Sequence, residues 1–177
     1  MTTRKSPPAP APAGVEDAWR ALTLQFDQVK HAETKAAATL ASSGVLGGLL
    51  YTLVSQHRAG GALFAVAAIA TAAAVVTAAG AAGVALRPRT FLRDGHQNLL
   101  FYRTIAGRFG HDAEAFHREL SGLLGDRAAL LSALSGQILT NANVAARKYH
   151  AVTIAVLTLL VGLGLLAVTA TIGVLAR

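Results

Sequence analysis

The sequence predicts an all-α integral membrane protein with three transmembrane helices and a helical cytoplasmic layer. Three observations carry this. Charged residues make up only 14% of the chain and hydrophobic ones 53%, with a mean hydropathy of +0.47, whereas a soluble domain carries about 25% charged residues. Three stretches without Lys, Arg, Asp or Glu, about 36–54, 61–84 and 152–175, reach the roughly 20 apolar residues that a spanning helix needs. No segment shows the alternation of a half-buried strand, and there is no internal repeat.

Residues 1–14 hold four of the five prolines and read as a disordered, Pro-rich tail. Residues 15–35 form a cytoplasmic amphipathic helix. Trp19, Leu22, Phe26 and Val29 recur at three- and four-residue spacing, and this stripe is expected to face another helix. The helix continues through HAETKAAATLA into the first span.

Residues 36–86 form a two-helix transmembrane hairpin. GALFAVAAIATAAAVVTAAGAAGVAL is uncharged but rich in alanine, which contributes little to insertion, so alone it is marginal. A short link near Ser55–Gly60 lets it insert together with the first span, sharing the cost of Ser42, Ser43 and Gln56. Pro88 in LRPRT is expected to end the second helix.

Residues 87–150 read as a cytoplasmic helical segment. HQNLLFYRTIAGRF predicts one amphipathic helix with Leu99, Leu100, Tyr102 and Ile105 available for packing, stopped by Gly110. Asp112 is a candidate N-cap for AEAFHRELSGLL, and Asp126 for the helix after it. That last helix presents Leu130, Leu134, Ile138 and Ala145 on one side. No breaker separates it from residues 151–177, the third transmembrane helix. TIAVLTLLVGLGLLAV is dense in Leu, Val and Ile, each contributing roughly −0.3 to −0.6 kcal/mol to insertion. A continuous helix of about 50 residues would be roughly 75 Å long. A soluble helical bundle is the competing architecture.

Charge placement gives an orientation. With the N-terminus cytoplasmic and the C-terminus outside, fourteen of the sixteen Lys/Arg lie inside, leaving Arg58 and Arg177 outside. The first apolar run starts too late for a signal peptide. The expected location is a bacterial inner membrane, multi-pass, with membrane lipid as a partner.

The absence of cysteine excludes disulfides, zinc–thiolate sites, iron–sulfur clusters and thiol nucleophiles. His96, His111 and His117 have no metal-ligand spacing, so no metal is expected. No nucleophilic set and no Gly-rich loop after a strand is present, so the chain is not read as an enzyme. The basic groups gather beside the spans rather than along one recognition helix, so neither DNA nor RNA is an expected partner.

Several constellations have two readings. Gly44 and Gly48 form a GxxxG that permits close helix packing, either on the second span or between subunits. Thr71, Thr77, Thr153, Thr158, Thr169 and Thr171 either line a wet path in an assembly or bond to carbonyls of their own helix. Glu33, Lys35 and Lys30 are either a salt-bridged anchor at the inner surface or a ligand contact. Arg87, Arg89 and Arg93, like Arg147, Lys148 and Tyr149, suit lipid phosphate; a nucleotide phosphate is the sharper alternative for the arginines.

A family resemblance enters through ordered motifs. HAETKAAATLASSGVLGGLLY resembles the start of the first span in Pycsar transmembrane effectors. LRPRT resembles their proline motif at the membrane exit, and NLLFYRTIAGRF their aromatic-rich cytoplasmic segment. LSGQILTNANVAARKYHAVTIAV resembles the run leading into their last span. The matches keep one order over about 30–175. Glu33 stands where aspartate is usual, and Leu139 where histidine is frequent.

The resemblance implies an effector of an abortive-infection antiphage system. A partner pyrimidine cyclase makes cUMP or cCMP, the effector oligomerises, and inner-membrane integrity fails. It implies no cofactor beyond the cyclic pyrimidine mononucleotide as activating ligand. The matching motifs offer Lys35, Tyr102, Arg103, Gln137 and Lys148 as ligand-binding candidates, with Tyr102 as a base-stacking partner. Without the resemblance, the residues equally suit a constitutive membrane scaffold or lipid-binding protein that takes no nucleotide.

Overall fold

The computed structural model describes residues 14–57, 61–88 and 98–175. The Pro-rich stretch 1–13, Arg58, Arg89, Arg93, His96 and Arg177 lie outside them. All regular structure among the described residues is helical: α1 (Val15–Gln56), α2 (Ala62–Leu86), α3 (Tyr102–Phe109), α4 (Ala113–Gly125) and α5 (Arg127–Leu175). α1, α2 and α5 are long and apolar enough to cross a membrane. Neither α1 nor α5 breaks where an apolar run meets a polar one.

The chain divides into two compact units. One is drawn from residues up to Leu24 and from Asp94 to Thr140, the other from Gln25 to Arg93 and from Asn141 to the end.

The first unit packs like a protein in water. Leu22, Leu130 and Leu134 are buried together, with Val15, Ala18, Leu100, Leu123 and Ile138 against them. Its helix ends are capped by side chains. The Asp112 carboxylate accepts from the amide of Ala115 at 2.9 Å. Asp126 accepts from Ala128 and Ala129 at 2.9 and 3.0 Å. Each cap satisfies amides that lack an intrahelical acceptor. Arg108 pairs with Glu119 at 2.6 Å, and Phe109 meets Phe116 at 5.5 Å between ring centroids, fastening α3 to α4.

Two expectations change here. The helix expected from His96 begins only at Tyr102. Asn98 is the cause: its side-chain oxygen accepts from the Leu100 amide at 2.9 Å, and its carbonyl accepts from the Phe101 amide. That Asx-type turn holds Leu99 and Leu100 out of the helix. On α1, Leu22 is buried but Trp19 and Phe26 are 40% and 51% exposed. The covered edge of the stripe runs through Ala18 and Leu22 instead. Periodicity selects a face of a helix but not which edge of that face a neighbour covers.

The second unit is a three-helix bundle built on small residues. On α2, Phe64, Ala68, Thr71, Val75, Ala78, Ala82 and Ala85 are buried. Ala32, Ala36, Thr39, Ser43, Leu46 and Leu50 are buried on α1. Both sets step alternately by four and three residues, the 3.5-residue repeat of close-packed helix seams. Gly162 of α5 abuts Val75, where an added Cβ would lie 3.4 Å from a side-chain carbon. Glycine therefore permits this close approach.

At one end of the bundle Glu33, Ala85 and Lys148 meet. At the other, His57, Phe64 and Gly173 meet. α1 and α5 therefore run parallel and α2 antiparallel to both. The 24 residues of α1 from Glu33 to Gln56 correspond to about 36 Å of helix, enough to cross a hydrocarbon core of about 30 Å. Large apolar side chains point outward along this length: Leu49, Leu63, Val66, Ile69, Val76 and Leu160 are 54–70% exposed. That much apolar surface is unsuited to water and natural in lipid. The soluble-bundle alternative fails on this observation.

Gly44 and Gly48 are also outward. A Cβ at either meets nothing within 4 Å, whereas one at Gly47 meets Val75 at 3.9 Å. The GxxxG pair therefore does not pack on the second span; Ser43, Leu46, Gly47 and Leu50 are the inward positions. Thr71, Thr77, Thr153, Thr158, Thr169 and Thr171 each donate to a carbonyl four residues back, at 2.7–2.9 Å. Thr71 and Thr169 also meet across helices, with hydroxyl oxygens 3.1 Å apart.

Candidate functional site

Lys148 is the one charged side chain buried among the described residues, at 2% exposure. An unpaired ammonium at such a place would be costly, since burial removes its hydration. Two acceptors replace the lost water. Its Nζ donates to Glu33 Oε1 at 2.7 Å and to the carbonyl of Ala85 at 2.8 Å. Ala85 is the penultimate residue of α2, so its carbonyl lacks an intrahelical donor. The lysine thus caps the negative end of the α2 dipole while pairing with α1 from α5. Glu33 keeps its side chain 45% exposed.

Around this node, Ala32, Ala36, Ala85, Ala151 and Val152 close an apolar cluster with Leu86 and Tyr149 against it. The Tyr149 hydroxyl donates to Gln28 Oε1 at 2.9 Å. Lys35 places its Nζ 5.8 Å from the Tyr149 ring centroid, within cation–π range. The expected anchor at Glu33 is therefore tertiary: its partner is 115 residues away, not Lys30 or Lys35. Lys148 faces inward rather than toward lipid phosphate.

The other candidates belong to the first unit. Gln137 is 5% exposed. Asn98 donates through Nδ2 to the Ala133 carbonyl at 2.7 Å and reaches Gln137 Oε1 at 3.5 Å. Tyr102 is 60% exposed, with its ring 4.9 Å from that of Phe101. Arg103, next on α3, is exposed and partnered. The structure thus brings Lys35 and Lys148 into one unit and Tyr102, Arg103 and Gln137 into the other. Sequence reasoning missed Asn98 as organiser and Glu33 as the partner of Lys148. Asn98 lies within the NLLFYRTIAGRF motif, and a turn-forming asparagine before an apolar pair was an available signal.

Among the described residues no group of His, Asp and Glu converges as a metal site. The Pycsar effector protein domain matches residues 17–175.

The chain belongs to the Pycsar effector family.

A curated relative agrees. The Pycsar effector protein PtPycTM of Propioniciclava tarda is 32% identical over 136 residues, 76% of this chain and 67% of the relative. No solved structure matches. Family and fold together make this Pycsar effector a membrane protein of antiphage defence. The matched region contains α2 and α5, all but the first two residues of α1, the Lys148 node and the Asn98–Gln137 contact.

Proposed function

We propose that the chain is gated by a cyclic pyrimidine mononucleotide, cUMP or cCMP, supplied by a partner cyclase. Binding drives oligomerisation and the loss of inner-membrane integrity. The N-terminus is cytoplasmic and the C-terminus outside, in keeping with fourteen of sixteen Lys/Arg on one side. Membership of the Pycsar effector family, in a chain whose span helices turn large apolar side chains outward, carries this reading.

A ligand shifts a membrane protein between states only by its differential affinity for them. The exposed Tyr102 offers a ring on which a pyrimidine stacks, and Arg103 a cation for the cyclic phosphate. Gln137 and Lys148 already have polar contacts, so they contribute by changing partners between states. Lys35 contributes charge beside the Lys148 node. The outward Gly44–Gly48 face suits contact between copies.

The test is dye entry into cells expressing the effector with an active or an inactive cyclase. Entry is expected only with the active cyclase, and substitution of Arg103 by Ala should abolish it while leaving membrane insertion intact. Entry that ignores cyclase activity would reject gating. No entry in either case would favour a constitutive membrane scaffold.

A further inference from the structure

A groove of about 600 Å³ opens in the second unit between α2 and α5, within the roughly 300–1,000 Å³ typical of small-molecule clefts. Ala81 and Val84 line it from α2, and Ala146, Arg147, His150, Ala151 and Ile154 from α5. Arg147, His150, Ala151 and Ile154 follow at i, i+3, i+4 and i+7, with Ala146 four residues before His150, so they share one helical face. Along that face the two polar side chains, with Ala146 beside them, precede the apolar run. Arg147 and His150 stand at the end nearest the charged segment, and Ala151 and Ile154 begin the uncharged run. α2 shows the same order in reverse, with Val84 three residues before Arg87. The groove therefore lies at the boundary between hydrocarbon and headgroups, with an almost wholly apolar lining and the exposed Arg147 at its rim.

Its two polar residues take no part in the Lys148 node. Lys148, the neighbour of Arg147, turns inward to Glu33 and Ala85. Arg147 and His150 are exposed and make no ion pair or side-chain hydrogen bond among the described residues. The groove owes its space to alanine: Ala81 and Ala151 place only a methyl group where leucine would fill it.

We infer that this groove holds one acyl chain of an anionic phospholipid, with the Arg147 guanidinium on its phosphate. The occupant follows from charge complementarity and from the apolar run that leads away from the cation along the groove. A guanidinium matches phosphate geometry with two parallel N–H donors. A soluble nucleotide would leave the apolar length uncovered, and a zwitterionic phospholipid, though it offers the same phosphate, carries an ammonium that offsets the attraction to Arg147. The inference rests on α2 and α5 being membrane spans and does not depend on nucleotide gating.

The test uses full-length protein in detergent, without nucleotide. It is offered equal amounts of phosphatidylglycerol and phosphatidylcholine with identical acyl chains, and retained lipid is counted by native mass spectrometry. One phosphatidylglycerol should be retained in preference. Arg147→Gln should weaken that preference about fivefold, the effect of one cation at a membrane surface, whereas Arg147→Lys should keep most of it. Ala81→Leu should reduce retention of both lipids, with helicity unchanged by circular dichroism. Equal retention of the two lipids, or an Arg147→Gln protein with undiminished preference, would overturn the inference. So would displacement by glycerol phosphate at the concentration of the lipid, which would assign the site to a free phosphate. A Val84→Cys chain that cross-links to a second copy while its lipid stays bound would assign the groove to a subunit contact. Because no nucleotide is present, failure here leaves cyclase-dependent dye entry standing, and the converse also holds.

Discussion

The two units of this chain bury opposite things. In the unit containing α3 and α4, leucines point inward: Leu22, Leu130 and Leu134 are 0–6% exposed. In the unit containing α2, alanines point inward, with Ala78, Ala82 and Ala85 at 0% exposure, while Val76 and Ile69 face out at 70% and 69%. The difference reflects two solvents. In water, large apolar side chains gain by leaving the solvent, at about 25 cal/mol per Å². In lipid that gain vanishes, and helices associate through close backbone approach and a few polar contacts. Alanine and glycine permit the approach, so the large side chains are left to face lipid. Polar groups follow the same division. The first unit caps its helices with exposed aspartates; the second caps α2 with a buried lysine held by a carboxylate.

Variants that exchange these two chemistries test the contrast. The largest effect is expected from Leu134→Ala, which empties a fully buried leucine site in the first unit. It should cost about 3 kcal/mol, read as faster hydrogen exchange in α3 and α4. Glu33→Ala comes next. It removes the carboxylate from a buried ammonium, which would cost about 3–5 kcal/mol were both partners buried. With Glu33 45% exposed, water reaches the vacated site and about 2 kcal/mol is expected in denaturant unfolding from detergent. Glu33→Asp, which keeps the charge, should recover most of it.

Ala82→Leu is the mirror image of Leu134→Ala. Overpacking the seam should cost about 1–2 kcal/mol, although the same change makes the helix more apolar. If Ala82→Leu stabilised the protein, burial of apolar surface would be driving the span bundle after all, and the contrast would break. The smallest effect belongs to Thr71→Val. It removes a hydroxyl contact with Thr169 worth about 0.6 kcal/mol in lipid, visible as a small shift in the unfolding midpoint. A loss several times larger would mean that the hydroxyl pair carries more of the bundle than its alanine seam does.

Much of this was legible in the residues. The charge-free runs gave the three spans. Asp112 and Asp126, standing before apolar-periodic segments, announced the starts of α4 and α5 because a cap is a local bond between neighbours in sequence. Asn98 was legible in principle, but the apolar residues after it imitated a helical face and extended the expected helix by several positions. The GxxxG pair left two readings, of which packing on the second span fails. Gly44–Gly48 is the more conspicuous motif, yet the inward seam passes through Ser43 and Gly47, one residue away, and a shift of one residue turns a helix by about 100°.

The sequence by itself determined which stretches enter lipid, where helices start, and which segments hold the charge. Each depends on composition or on bonds between near neighbours. Only the tertiary structure decided that Lys148 turns inward to Glu33 and to the end of α2. It alone decided that Trp19 and Phe26 stay uncovered and that Arg147 is left facing a groove. Those outcomes depend on how helices meet across separations such as 63 and 115 residues of chain. A side chain's polarity states what partner it requires, but not which distant helix will present one.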